Sequence, residues 1–291
     1  MFFSDMPKAA ATAVRTSRFC AGVLLVLLAG ACASGDLLRD PVPEGLVNRA
    51  VVDNLEGIRY WGDASPGTYR AIAEGRIAQL QGQHGASGLK GKRMEIESLS
   101  LSGGGGDGAF GAGLLVGWSE SGTRPEFEVV TGISTGAMIA PLAFLGPRYD
   151  AQLKEAYTTA SSDQLVKTKV FSALLGSADG LADSKPLANM VARYTSQRML
   201  DDIAAEYRKG RFLLIGTTNL DAQRPVIWDI GALANSGRPD ALQLMRKVIL
   251  ASASVPGALP PVEIKVAANG KSYDEMHVDG GVTRQVFLYP P

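Results

Sequence analysis

The chain has 291 residues, of which 46% are hydrophobic and 20% charged, a composition typical of a globular protein with one sizeable core. Lys and Arg together number 29, and Asp and Glu also number 29. The sequence therefore has neither the basic surplus of a nucleic-acid-binding protein nor an acidic tail, and we expect no nucleic-acid partner. Charge leaves the oligomeric state open.

The first 31 residues have the pattern of a secretory signal peptide. Three basic residues precede an apolar run over residues 19–28, and Ala29, Gly30 and Ala31 close it. The run is about half as long as a membrane-spanning helix requires. We therefore predict that residues 1–31 are cleaved from the mature chain.

Cys32 directly follows the small residues. Because Cys20 lies inside the apolar run and leaves with it, Cys32 is the only cysteine of the mature chain, and no intrachain disulfide is possible. A cysteine in this place resembles the bacterial lipoprotein signal, in which the thiol receives diacylglycerol, although Ala29 stands where that signal usually has leucine. The resemblance implies a lipid-anchored membrane protein of the bacterial cell envelope that faces the periplasm or the exterior. The alternative is a soluble secreted protein cleaved after Ala31.

Beyond the signal, residues 32–93 are predicted to form a tether and an N-terminal helical segment, and residues 94–291 the main domain. Strand-like and helix-like segments alternate in that domain, which predicts an α/β fold with a mainly parallel central sheet. The predicted strands cover residues 96–101, 127–131, 212–217, 225–230 and 262–266, and the predicted helices cover residues 108–118, 135–145, most of 150–210, and 240–251. The sequence stops without a closing helix or strand, which leaves open that the main domain is incomplete at its C-terminus.

A serine flanked by glycines lies between a predicted strand and a predicted helix, in Gly132-Ile133-Ser134-Thr135-Gly136. This arrangement is typical of a nucleophile elbow, in which a sharp turn presents the serine hydroxyl and leaves room only for glycine on either side. The following helix directs its free N–H groups toward the reacting oxygen. The alternative is an ordinary tight turn whose serine caps the helix. The pattern favours Ser134 as the nucleophile of a serine hydrolase that acts on acyl esters.

A glycine run, Gly103 to Gly106, lies upstream between another predicted strand and helix. Its bare backbone N–H groups can bind an anion. Gly103, Gly105 and Gly108 satisfy the dinucleotide pattern Gly-x-Gly-x-x-Gly, but the next strand ends in the serine motif instead of an acidic residue that could hold a ribose. No Gly-Lys-Ser/Thr follows, as a P-loop requires. The remaining interpretation is an oxyanion hole, whose amides stabilise negative charge on the attacked carbonyl.

A serine hydroxyl needs a base to take its proton. His84 lies in a predicted loop and has the setting of a surface residue, whereas His277 follows Ser134 in the order of a Ser-Asp-His triad, with Asp221 or Asp229 as its acid. Asp279, at the start of a glycine turn, offers a carboxylate that can accept the proton directly when it is desolvated. Residue spacing alone leaves both bases open.

Four blocks of the sequence, in this order, resemble the patatin-like phospholipases. They are Ser102-Gly103-Gly104-Gly105, the serine motif at residues 132–136, residues 251–261 with Ser252, Ser254 and Pro256, and Asp279-Gly280-Gly281. The resemblance covers roughly residues 95–285 and implies a three-layer α/β/α fold that hydrolyses acyl esters of lipids without a metal or cofactor. It also implies Ser134 as nucleophile and Asp279 as base, with an oxyanion hole at Gly104, Gly105 and Gly106. The supporting glycines of these motifs are Gly103, Gly108, Gly132, Gly136, Gly280 and Gly281.

One position departs from the family pattern. The family generally has Arg or Lys after the glycine run, where this chain has Asp107. Loss of that cation predicts a preference for neutral or zwitterionic esters over anionic ones. A second class of function, a lipid-binding envelope module without catalysis, also fits the fold. Intact Ser134 and Asp279 favour the enzyme, because a binding module needs neither.

Overall fold

A computed structural model of the chain describes residues 39–52, 55–65, 67, 70–71, 74–75, 96–162 and 183–288. The predicted signal peptide, Cys32, His84 and the predicted domain boundary at residues 93 and 94 all lie outside these residues. Residues 41–291 belong to one compact unit, and the description below concerns that unit.

The centre of the unit is a seven-stranded mixed sheet. Its strands are β1 (Arg59–Trp61), β2 (Ser98–Leu101), β3 (Val129–Gly132), β4 (Phe212–Asn219), β5 (Arg224–Asp229), β6 (Val262–Ala268) and β7 (Lys271–Asp279). Five of them lie in the order β1-β5-β4-β3-β2, while β7 also pairs with β4, and β6 pairs with β7. β4 is buried along its whole length, as expected of a central strand.

The mixed α/β class is confirmed, but the prediction of a mainly parallel sheet is wrong. Among the strands of the described residues, β2 pairs with β3 and β3 with β4 in parallel, whereas the other four strand pairs are antiparallel. For β4 with β5 and for β6 with β7 the physical reason is a short connection, since a parallel crossover needs a dozen or more residues. Only Asn269 and Gly270 join β6 to β7, and their φ angles of +51° and +77° are those of a tight hairpin turn.

Helices cover one face of the sheet. The helix α2 (Thr135–Leu145) is buried on nearly all sides, because its residues are apolar around the whole helix. A smaller apolar cluster, which includes Phe287, lies on the opposite face of β3 and β4. Apolar side chains are thus buried on both faces of the sheet, which is consistent with the predicted three-layer fold. The helices of the described residues are α1 (Gly108–Glu120), α2 (Thr135–Leu145), α3 (Asp150–Ser162), α4 (Lys185–Tyr194), α5 (Gln197–Arg208), α6 (Ile230–Asn235) and α7 (Ala241–Ser252).

The segment before β2 is part of the sheet. β1 pairs with β5 in antiparallel register, and Val51 forms a backbone bridge to Ala267 next to the β6–β7 turn. Arg59 of β1 forms a buried ion pair with Glu275 of β7. Residues 41–61 therefore stabilise both edges of the antiparallel part of the sheet. None of the helices in the described ranges has the length and apolar character needed to cross a membrane.

Candidate active site

Ser134 occupies a strained turn between β3 and α2. Its φ of +57° and ψ of −124° lie in a region that non-glycine residues rarely adopt, and its side chain is 4% exposed. The hydroxyl makes no capping hydrogen bond with α2, in contrast to the alternative of a helix-capping serine. Glycine is required two residues before and two residues after Ser134. A Cβ on Gly132 would lie 2.5 Å from the Gly136 carbonyl oxygen, and a Cβ on Gly136 would lie 2.4 Å from the Leu101 carbonyl oxygen.

The sheet brings Asp279 to Ser134, although 144 positions separate them in the sequence. β3 ends with Gly132 opposite Ile215, and β7 ends with Asp279 opposite Thr217. Since β5 occupies the other edge of β4, both strands lie along the same edge and approach each other end to end. The intervening residue, Gly216, faces the gap. The two predicted site residues lie where these strand ends meet.

The Asp279 carboxyl group is buried and only partly satisfied. Its Oδ1 accepts the Gly281 N–H at 2.7 Å, while Oδ2 is buried and has no hydrogen-bond partner of regular geometry among the described residues. Burial raises the pKa of Asp279 above its usual value, and the nearby Ser134 hydroxyl and the Gly281 N–H offset this only in part. A carboxylate that is poorly solvated in its charged form is a stronger base, so this group is suited to accept a proton from Ser134.

The glycine run lies against Ser134. A Cβ at Gly103 would lie 3.2 Å from the Ser134 Cβ, and the Gly103 N–H donates to the Gln285 carbonyl oxygen at 3.1 Å. Gly104 and Gly105 have φ angles of +153° and +54°, which side chains disfavour. Gly106 follows in a 3₁₀ turn, Gly105–Asp107, whose Asp107 side chain is exposed. The predicted oxyanion loop therefore begins beside the predicted nucleophile, at Gly103, and its next two residues have backbone angles that favour glycine.

Two observations bear on the alternative ligands, a metal ion and a dinucleotide. No group of three or more His, Cys, Asp or Glu side chains is arranged there to hold a metal ion. The third glycine of the dinucleotide pattern, Gly108, has a packing role, because a Cβ there would lie 2.1 Å from the Thr135 Oγ1. Gly108 thus allows α1 to contact the start of α2.

His277 is fully buried and engaged away from Ser134. Its Nδ1 lies 3.0 Å from the Thr217 Oγ1, and its Nε2 lies 3.1 Å from Glu275. Because the Glu275 carboxylate can only accept, Nε2 carries the ring proton and donates to it. In a neutral ring Nδ1 then accepts the Thr217 hydroxyl proton, and the Thr217 Oγ1 in turn accepts the Trp228 indole N–H. Burial lowers the pKa of His277, which is consistent with a neutral ring. Both nitrogens are therefore occupied within a structural network.

The two aspartates considered as partners of His277 have other hydrogen bonds. Asp229 accepts the Ala232 N–H at 2.7 Å and caps α6. Asp221 accepts the Met276 N–H at 2.8 Å. The structure therefore does not assemble a Ser-Asp-His arrangement around Ser134.

The end of α7 supplies contacts that the sequence did not predict. The Ser134 N–H donates to the Ser252 Oγ at 3.0 Å, and the Asp279 N–H donates to the Ser254 carbonyl oxygen at 2.9 Å. The signal in the sequence is the pair of serines, Ser252 and Ser254, that precedes Pro256. One short segment thus contacts the backbone of both predicted site residues.

A small apolar cavity of about 50 Å³ lies between α2, α3, α4 and α7, and its lining begins one helical turn after Ser134. Three of its lining residues connect to the site directly: Met138 follows Ser134 by one helical turn, Ile249 precedes Ser252 by about one turn, and the Tyr157 hydroxyl lies 2.9 Å from the Thr135 Oγ1. The other lining residues are Pro141, Leu142, Ala156, Met190, Val191, Tyr194 and Thr195. Such a cavity can bury methylene groups but not a charged ligand.

Comparison with known proteins identifies a family for the chain. The family model of the patatin-like phospholipases matches residues 99–290, about two thirds of the chain, and includes the glycine run, the serine elbow and Asp279. A comparison with curated protein sequences finds no match. Membership in this family implies a hydrolase of lipid esters. The chain therefore belongs to the patatin-like phospholipase family.

Proposed function

We propose that the protein is a lipid acyl hydrolase in which Ser134 is the nucleophile and Asp279 the general base. The observation that carries this proposal is the Asp279 carboxyl group, buried at the strand end beside Ser134, with Oδ2 free of other hydrogen bonds among the described residues. His277 has no part in the reaction, since Thr217 and Glu275 occupy both of its nitrogens.

The proposed reaction has two halves. Asp279 accepts the Ser134 proton as the Oγ attacks the ester carbonyl carbon, and backbone N–H groups of Gly104, Gly105 and Gly106 stabilise the resulting oxyanion. The tetrahedral intermediate collapses, the protonated Asp279 gives its proton to the leaving alcohol, and an acyl-Ser134 ester remains. Water then attacks this ester with Asp279 again as base, and the fatty acid leaves as Ser134 regains its proton.

Lipid esters suit the site for two reasons. The family acts on such esters, and the apolar cavity whose lining begins one helical turn after Ser134 can hold the first carbons of an acyl chain. Asp107, exposed at the end of the glycine loop, places a negative charge where the family generally has a cation, and we expect turnover of zwitterionic lipids to exceed that of anionic lipids. Asp107→Arg should raise the anionic-to-zwitterionic ratio, and an unchanged ratio would refute this preference.

We further propose that the protein acts at the bacterial envelope, anchored through diacylglycerol on Cys32. The support is the signal pattern of residues 1–31 with its cysteine. Growth of the expressing cells with a fatty-acid probe should label the full-length product but not Cys32→Ser. An unlabelled mature wild-type chain contradicts the anchor.

A fluorophosphonate probe, which phosphonylates activated serines, tests the catalytic proposal. We expect labelling of the folded wild type, none of Ser134→Ala, and labelling of Asp279→Asn slowed by about 10²- to 10⁴-fold. Hydrolysis of a short p-nitrophenyl ester should fall in parallel. A folded wild type that neither reacts with the probe nor cleaves esters contradicts catalysis and favours the lipid-binding module.

A further inference from the structure

Ser252 connects the nucleophile to the central strand. Its side chain is fully buried at the last residue of α7, where the Oγ lies 3.0 Å from the Ser134 amide nitrogen and 2.7 Å from the Gly216 carbonyl oxygen. A carbonyl can only accept, so the Ser252 proton points to Gly216 and a lone pair faces the Ser134 N–H. The direction of both hydrogen bonds is therefore fixed.

The Ser134 N–H needs such a partner because of its unusual backbone. With φ of +57° and ψ of −124°, Ser134 belongs neither to the ladder of β3 nor to α2. A residue held in such a conformation costs about 1–3 kcal/mol, and it persists only where surrounding contacts fix it. Its amide is also buried, where a missing partner carries a further penalty. Ser252 supplies this contact from a different element.

Gly216 is the residue that faces the gap between the ends of β3 and β7. A Cβ at Gly280 would lie 2.5 Å from the Gly216 carbonyl oxygen, which shows how closely the backbone after Asp279 approaches it. Two residues after Ser252, the Ser254 carbonyl oxygen accepts the Asp279 N–H at 2.9 Å. The end of α7 thus contacts the nucleophile, the base and the strand between them.

We propose that the Ser252 hydroxyl is a positioning residue of the reaction, which holds the Ser134 backbone so that its Oγ faces Asp279. The inference rests on the proposed function, since it assumes that Ser134 is the nucleophile. Without the hydroxyl, the Ser134 N–H and the Gly216 carbonyl each lose a partner. The turn can then relax, and a displacement of about 1 Å at a nucleophile can cost about 100-fold in rate.

Ser252→Ala tests the proposal, with Ser236→Ala as a matched control. Ser236 is also a serine at the end of a helix, but its hydrogen bonds go to the Leu233 carbonyl oxygen and the Arg238 N–H within its own turn. Both variants are compared with wild type for folded fraction by circular dichroism, for fluorophosphonate labelling rate, and for kcat and KM on a soluble p-nitrophenyl ester. Ser252→Cys, whose thiol is a weaker partner for both groups, gives an intermediate case.

We expect Ser252→Ala to lower kcat and the labelling rate by about 10- to 100-fold, while KM stays within twofold of wild type. The kcat of Ser252→Cys should lie between those of Ser252→Ala and wild type, and Ser236→Ala should keep the wild-type kcat. If Ser252→Ala does not fold, a fall in kcat for folded Ser252→Cys supports the proposal. A lower melting temperature with wild-type kcat and labelling rate in the folded variants shows a purely structural role and overturns it. An unlabelled wild type contradicts the proposed function instead.

Discussion

Arg59 and Glu275 form a buried ion pair with two hydrogen bonds, one of them 3.0 Å long, which joins the first strand of the sheet to the strand that ends in Asp279. Arg59 lies outside residues 99–290, which match the family, and Glu275 lies inside them. Burial alone would raise the pKa of Glu275, but hydrogen bonds from His277 and Arg59 and the charge of Arg59 lower it to about 2. The N-terminal segment therefore supplies the cation for a carboxylate of the matched region.

Loss of that cation should be costly. Arg59→Met leaves a charged carboxylate buried without its partner, and we expect the free energy of unfolding to fall by about 3–5 kcal/mol. The double variant Arg59→Met, Glu275→Gln removes the uncompensated charge and should recover part of the loss. Urea unfolding at pH 7 measures both. Equal stability of wild type and Arg59→Met would show that the pair contributes nothing.

Asp279→Asn should stabilise the fold while it impairs catalysis. Because the folded pKa of Asp279 lies above the value of 3.8 for a free aspartate, the folded state binds its proton more tightly, and stability is lost as pH rises from 3.8 through the folded pKa. A neutral amide avoids this loss. Thermal unfolding should give a higher melting temperature for Asp279→Asn at pH 7 and a smaller difference near pH 4. A destabilised variant at pH 7 would contradict this.

The same pKa shift predicts the acid side of the rate profile. As the proposed base, Asp279 would have to be ionised to accept the Ser134 proton, so kcat should rise with pH through an apparent pKa above the usual aspartate value. Values of kcat on a soluble ester from pH 3 to 9 measure it. An acid limb at or below pH 3.8 would argue that another group is the base, and a limb that moves in His277→Gln would identify the histidine.

His277→Gln should cost stability rather than activity. The glutamine amide can replace the contacts of His277 with Thr217 and Glu275 only in part. Because the side chain is fully buried, we expect the free energy of unfolding to fall by about 1–3 kcal/mol. The kcat of the folded variant should stay within about threefold of wild type. Loss of a catalytic histidine would instead reduce kcat by about 10⁴-fold or more, and such a result would restore the triad.

Two glycine-to-alanine changes should act in opposite directions. Gly136→Ala places a methyl group 2.4 Å from the Leu101 carbonyl oxygen, so the elbow must move. We expect the free energy of unfolding to fall by about 1–3 kcal/mol and most of the activity to be lost. Gly113 lies in the exposed middle of α1, and a methyl group there would have no atom within 4 Å apart from the nearby backbone of the helix itself. We expect Gly113→Ala to raise the free energy of unfolding by up to about 1 kcal/mol. Chemical denaturation of both, alongside ester hydrolysis, checks the pair.

The sequence predicted the local elements well, because their signals are local. The helix predicted at residues 135–145 coincides with α2, and Ser134 stands at the predicted turn. The antiparallel pairing of β6 and β7 was missed although Asn269-Gly270 is a hairpin signal. β7 itself went unpredicted because Glu275 and His277 interrupt its apolar pattern. Their burial depends on partners far away in the sequence, which no periodicity can reveal.

The same limit applies to the candidate site. The elbow could be found from five consecutive residues, whereas the choice of Asp279 over His277 required the family resemblance. The structure adds the register in which Thr217 lies opposite Asp279 and Ile215 opposite Gly132. Ser252 belongs to the third block of the family resemblance, but nothing in that block indicates which residue it contacts. Its contact with the Ser134 N–H depends on tertiary packing alone.

The meeting of β3 and β7 along one edge of β4 also sets an order of events during synthesis. The elbow, the glycine loop and β4 all precede β7 in the chain, and β7 follows β6 through a two-residue turn. A growing chain therefore carries its serine long before it carries its carboxylate. Because the last strand must dock before the two can meet, we expect the enzyme to stay inactive toward lipid until folding of the sheet is complete.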